Sequence, residues 1–205
     1  MTDLDLRSCS DCHACGLSET RQRVVIARGN PDARLMVIGE APGAKEDAEG
    51  QPFVGRSGKA LDRLLIDVGF DLQQDVYICN AVKCRPPSNR RPKRAELAAC
   101  RPWLDLQLEL VNPVVIVLAG ATAVEAILGI KGGMTKLRGR WQRWQDVRDL
   151  MHDGHSPAHG MDVSVAVREL LDGRGPATAR SEESGLFLNL DPSNHREVVR
   201  GSSRG

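Results

Sequence analysis

The sequence predicts an α/β fold, a three-layer α/β/α arrangement with a central, mostly parallel sheet. Three observations carry this expectation. Short, almost wholly apolar runs recur at Leu35–Gly39, Val76–Asn80 and Val114–Ala119, and runs of this length without alternation mark strands buried on both faces. Segments with apolar residues at helical spacing follow the strands. Strands that alternate with helices in this way pair in parallel under a helical layer on each side.

Each element has a local reason. Asn30-Pro31-Asp32 is a turn signal, and Leu35-Met-Val-Ile-Gly39 follows it as the first buried strand. The stretch from Glu40 to Gly58 holds four glycines and two prolines, which predicts a structured loop. Beyond Lys59, the residues Ala60, Leu61, Leu64, Leu65 and Val68 share one helical face, and Gly69 closes the helix. Val76–Asn80 is the second strand. Pro86, Pro87 and Pro92 stiffen the basic loop Arg85–Pro92, because each fixes its own backbone and restricts the residue before it. A second long helix is expected over Ala95–Leu110, ended by Asn112-Pro113, and a third strand over Val114–Ala119. A further helix is expected over Ala121–Leu128.

The chain has 205 residues, 41% of them hydrophobic, with a formal net charge of +1. That length suits one substantial domain. The near-zero charge gives no global field for nucleic acid, although a local basic patch suffices for steering. No run approaches the roughly 18 apolar residues of a membrane span, and the N-terminus lacks the order of a secretory signal. A cytoplasmic, monomeric protein without a membrane partner is therefore expected. The polar character after Trp144 divides the chain into a domain over residues 1–145 and a diverged, partly disordered segment over 146–205. Within that segment Val163–Leu171 could form a helix.

Six cysteines in such a chain point to metal ligands or free thiols rather than disulfides. Cys12 and Cys15 form a Cys-x-x-Cys step, and Cys84 and Cys100 lie in the basic loop and the following helix. Four thiolates can close a tetrahedral zinc site or hold a [4Fe–4S] cluster, and the spacing alone leaves both open. Cys9 adds another Cys-x-x-Cys step, so the pairing of Cys12 with Cys15 is not forced. Cys79, within a strand, reads as a small buried hydrophobe.

Gly39-Glu-Ala-Pro-Gly43 directly follows a strand, which places it at the carboxyl edge where open α/β sheets bind ligands. It is neither a dinucleotide fingerprint nor a P-loop, since both spacings are absent. Together with Glu46-Asp47, Gly50-Gln-Pro-Phe-Val-Gly55 and Ser57-Gly58, it resembles the first active-site motif of type-4 uracil-DNA glycosylases. The block Tyr77-Ile-Cys-Asn80-Ala-Val-Lys-Cys84-Arg-Pro-Pro-Ser-Asn89-Arg90 resembles their second, and Leu118–Ala123 and Thr135–Gly139 continue the likeness. It spans roughly residues 9–145.

That resemblance implies a [4Fe–4S] cluster on Cys12, Cys15, Cys84 and Cys100. It implies that Phe53 stacks on a flipped uracil and that Asn80 pairs with the uracil edge, donating and accepting at once. Glu40, Ala41, Pro42 and Gly43 would line the pocket, with Glu40 positioning the attacking water. Arg85, Arg90, Arg91 and Lys93 would hold phosphates of uracil-containing DNA, without sequence preference. A base must be extruded into such a pocket before its bond is cut.

The likeness fails at the family's closing His-Pro-Ser segment. Residues 149–159 read Asp-Leu-Met-His-Asp-Gly-His-Ser-Pro-Ala-His, with Ser and Pro transposed. His155 is the positional candidate for the histidine that donates to the uracil carbonyl, and His152 is the second choice. Asp191-Pro192-Ser193 carries a Pro-Ser pair preceded by aspartate. A reading-frame slip or a diverged C-terminus would account for the change. Three readings follow: an active glycosylase, a cluster-bearing protein that binds uracil or DNA with weak or no cleavage, and a zinc-stapled α/β module.

Overall fold

Alternation within single strands builds the two faces of the sheet. The computed structural model describes residues 5–67, 69–113 and 115–130, together with the backbone of 142–144 and 185–190. Along β2 (Leu35–Gly39), Leu35 and Val37 face one way, packing with Leu61, Leu65 and Phe70 on and after α2 (Arg56–Asp67). Met36 and Ile38 face the other way, against Leu104 and Leu108 of α3 (Arg94–Val111) and Val124 and Ile127 of α4 (Ala121–Leu128). Side chains two apart share a face of a strand, so one apolar run serves two cores. Burying a side chain the size of leucine contributes about 1.5–3 kcal/mol, and this double burial is why no polar residue interrupts Leu35–Ile38.

The sheet has six strands in the order β1-β3-β2-β4-β6-β5, with β1 at Ala27–Gly29, β3 at Val76–Asn80, β4 at Val115–Ala119, β5 at Gln142–Trp144 and β6 at Gly185–Leu190. The inner four, β3, β2, β4 and β6, run parallel, and the outer two are antiparallel to their neighbours. This is the three-layer, mostly parallel α/β/α arrangement that the sequence predicts. The chain passes from β2 to β3 on one side, then crosses to β4 on the other. That reversal opens a crevice at the carboxyl ends of β2 and β4, where doubly wound sheets place their ligands.

Two features differ from expectation. The glycine-rich stretch after β2 contains a short helix, α1 (Ala44–Glu49), that the glycines and prolines around it obscure. The Glu46 carboxylate explains it. It accepts from the backbone N–H of Gly43, so the side chain at the third helical position caps its own helix. Gly50, at φ 76°, ends the helix in the left-handed region that favours glycine. Second, β6 lies beyond residue 145 in a segment for which the sequence predicts no strand, and it pairs with β4 from Val115 opposite Leu186 to Ala119 opposite Leu190. The helix expected over Val163–Leu171 falls outside the described residues.

Candidate functional site

Two sites lie back to back at the carboxyl edge. The first is built on Gly39 and Asn80, which end adjacent parallel strands and stand opposite one another in register. Backbone bonds lock the two following loops together: Ala81 N–H donates to Gly39 O at 2.8 Å, and Val82 N–H to Glu40 O at 3.1 Å. Glycine at 39 is required by what converges there. A Cβ would overlap the Phe53 ring and lie 2.5 Å from Asn80 Oδ1, so the missing side chain is the space in which ring and amide meet. Gly39→Ala is therefore expected to lower kcat/KM for the reaction at this site by about 10²-fold, since a displacement near 1 Å costs that much. Circular dichroism should show the fold retained.

Phe53 is held in an unusual backbone state, φ 57°, which costs of order 1–3 kcal/mol for a residue other than glycine. Its surroundings enforce that state. Arg28 on β1 donates from Nε to Pro52 O at 2.9 Å and from Nη2 to Phe53 O at 3.5 Å, and pairs with Asp62 of α2. Gly58 approaches so closely that a side chain there would collide with the Phe53 carbonyl. Glu46 also accepts from Val54 and Gly55 N–H at 3.0 and 2.7 Å. One carboxylate thus ties α1 to the loop that presents the ring.

Asn80 is 2% exposed, yet among the described residues its side-chain amide has no hydrogen-bond partner. Its amide stands beside the Phe53 ring, at the space a Gly39 side chain would fill. Its backbone carbonyl is engaged instead by Lys83 Nζ at 2.5 Å. Glu40, half-buried on the loop after β2, reaches across the crevice to accept a hydrogen bond from Thr122 of α4. Glu40, Phe53 and Asn80, with Ala41–Gly43 between β2 and α1, gather at this one edge. His155 falls outside the described residues.

The second site lies behind the first. Cys9, Cys12, Cys15, Cys84 and Cys100 line one cavity with Val24, Val82 and Trp103. Cys79 is apart from them, fully buried in the core that packs on α3 and α4, as the sequence predicts. N–H donors point at three of the sulfurs: Trp103 Nε1 at Cys12 (3.3 Å), Arg21 at Cys84 (3.3 Å) and the Lys83 backbone at Cys100 (3.2 Å). Burial pushes the Cys9 thiol up to about 12 and Cys100 to about 11, and raises Cys84 as well. Thiolates here need a compensating cation. Among the described residues, no three His, Cys, Asp or Glu side chains could hold a single metal ion. The five thiols line one common space. The sequence left Cys9 ambiguous, and the structure puts its side chain in the same cavity.

The basic loop joins the two sites. Arg90 is committed to Glu96 through two hydrogen bonds of 2.8 and 2.6 Å, which hold the Glu96 carboxyl below the usual carboxylate range. Arg91 bonds Thr122 Oγ1 at 3.0 Å and Glu125 at 2.6 Å. Arg85 donates to Asn89 at 2.7 Å. Lys93 is exposed.

Fold and site together define a class: an open α/β protein whose crevice brings an aromatic ring and an amide side chain to one sheet edge, backed by a cavity of thiols. The sequence profile described as the uracil DNA glycosylase superfamily matches residues 26–164. The chain belongs to that superfamily. It is 49% identical over 134 residues to a type-4 uracil-DNA glycosylase of Thermotoga maritima, covering 65% of this chain and 69% of that protein. It is 40% identical over 191 residues to the type-4 uracil-DNA glycosylase of Pyrobaculum aerophilum, covering 89% and 94%. A type-5 uracil-DNA glycosylase of Thermus thermophilus is 38% identical over 120 residues, about half of each chain. Both the profile match and the Pyrobaculum match run past residue 145, where the motif likeness stops. No helix among the described residues is long and apolar enough to cross a membrane.

Proposed function

We propose that this chain is a uracil-DNA glycosylase that hydrolyses the N-glycosidic bond of a flipped uracil in DNA, the first step of base-excision repair. One observation carries the reading: the Asn80 amide and the Phe53 ring meet over the bare backbone of Gly39. Phe53 stacks on the uracil and Asn80 reads its edge, giving and taking a hydrogen bond together. Cytosine presents its exocyclic amine where uracil presents an oxygen, so the same amide rejects it. The electron pair of the broken bond leaves with N1 of uracil, the sugar takes on cationic character, water oxygen forms the new bond to C1′, and the proton that the water gives up balances the departing uracil anion through solvent. Glu40 orients that water, and donors around Ala41–Gly43 and Asn80 stabilise the charge that develops on the uracil oxygens. Measuring free uracil released from a uracil-containing oligonucleotide tests the assignment.

Cys12, Cys15, Cys84 and Cys100 fit a [4Fe–4S] cluster, on the grounds of their shared cavity and the N–H donors at the sulfurs of Cys12, Cys84 and Cys100. When bound, the cluster supplies a cross-link between the N-terminal arm and the basic loop, and no redox step in the hydrolysis. Arg85 and Lys93 bind DNA phosphates, whereas Arg90 and Arg91 act first as struts of the loop that carries them. Removing Lys93 by alanine substitution should weaken binding evenly across sequences and reduce the salt slope by about 0.7–0.9. Titration at several salt concentrations checks this.

His155 is assigned as the donor to the uracil carbonyl. His155→Ala is expected to lower kcat by about 10²–10³-fold, and an unchanged kcat in that variant would remove the role.

A further inference from the structure

We infer that Thr122 and Arg91 form a positioning relay for Glu40, so that the residue facing the water is set by a strut from the basic loop. The inference rests on the reading of Glu40 as the water-orienting group.

The relay follows from counting protons. A threonine hydroxyl has one proton and two lone pairs, and a guanidinium can only donate. Arg91 Nε donates to Thr122 Oγ1 at 3.0 Å, so one lone pair is taken and the hydroxyl proton must go elsewhere. The group it meets is Glu40 Oε2. Arg91 is itself fixed, because its Nη2 pairs with Glu125 of α4 at 2.6 Å. Thr122 is 1% exposed, so water does not compete for its proton. The chain of bonds therefore runs Glu125, Arg91, Thr122, Glu40, and each link has one possible direction.

Position makes the relay relevant to chemistry. Thr122 lies in the first turn of α4, after β4, and Glu40 follows β2, so their bond spans the crevice where β2 and β4 diverge. It occupies Oε2 and leaves Oε1 without a protein partner among the described residues. A carboxylate with one oxygen tethered and the other open can hold a water in one place. Without the tether the side chain keeps its charge and loses its orientation, and misplacement of about 1 Å costs near 10²-fold. Neither Thr122 nor Arg91 is required to touch the base or the water.

Single-turnover and steady-state uracil release from a single-stranded uracil oligonucleotide test the relay. Thr122→Val, nearly the same shape without the hydroxyl, is expected to lower kcat by about 10–100-fold with KM within about twofold. Thr122→Ser, which keeps the hydroxyl, should return kcat to within about threefold of the parent chain. Arg91→Gln combined with Thr122→Val should be no worse than Thr122→Val alone, as expected for groups acting as one unit. An unchanged kcat in Thr122→Val, a Thr122→Ser variant as impaired as Thr122→Val, or effects that multiply in the double variant would each overturn the relay. Glu40→Gln separates the two claims. If it is inactive while Thr122→Val is fully active, the relay alone falls. If Glu40→Gln or the parent chain fails to behave as the functional reading requires, that reading falls and takes the relay with it.

Discussion

Replacing Asn80 with alanine is expected to lower uracil release by at least about 10²–10³-fold while leaving the fold intact. Two arguments give the size. In the proposed reading the amide, which stands with the Phe53 ring over Gly39, makes its hydrogen bonds to the base. Deleting a single donor at a site of developing charge typically costs 10²–10³-fold. Stability should fall little, because the variant loses no side-chain hydrogen bond within the described residues. It leaves the backbone bond to Lys83 untouched. Asn80→Asp sharpens the test: a carboxylate accepts but does not donate, so uracil release should stay low. Normal release by Asn80→Ala would remove the edge-reading role.

Loss of Cys84 or Cys100 is expected to have the largest effect on stability. Their sulfurs line the cavity shared with the N-terminal arm, and that arm otherwise docks through a modest apolar cluster of Cys9, Leu17, Val82 and Trp103. If the cavity holds a cluster, its binding free energy is folding free energy. Cys84→Ala should then lose iron and the brown visible absorption together, and lower Tm by about 10 °C, corresponding to roughly 3 kcal/mol for a chain of this size. Uracil release should fall too, because Cys84 is one residue from Lys83, which holds the Asn80 carbonyl, and begins the loop carrying Arg85. Cys79→Ala is the control: it removes a core thiol and should keep the iron. Iron analysis that finds metal retained in Cys84→Ala would exclude that residue as a ligand.

The parts of the fold that sequence reveals are those governed by one local rule. Leu35–Gly39, Val76–Asn80 and the strand ending at Ala119 are legible because burial on both faces forbids polar residues there. Ala121–Leu128 is legible because glycine stands at both of its ends. α1 escapes notice because its cap is a side chain three residues inside the helix, in a stretch whose glycines and prolines signal a loop. β6 escapes because Gly185–Leu190 is short, lies in polar surroundings, and is defined by its partner β4. In the site, Phe53 and Asn80 are legible through motif likeness, but the reason for Gly39 between them is purely spatial. The commitment of Arg90 and Arg91 to Glu96 and Glu125 could not be read from a run of basic residues, since the partners lie six and 34 positions away. Thr122 carries no sequence signal of its own; its role depends on two elements meeting across the crevice.

The central claim is that the pocket over Gly39 takes uracil out of DNA and cuts it free. Incubating the purified, iron-loaded chain with a single-stranded oligonucleotide holding one uracil, beside an identical strand holding cytosine, tests it most directly. The account predicts free uracil and an alkali-sensitive abasic site from the first strand and nothing from the second. Binding of the uracil strand without any release of base, by a chain that retains its iron, would contradict it.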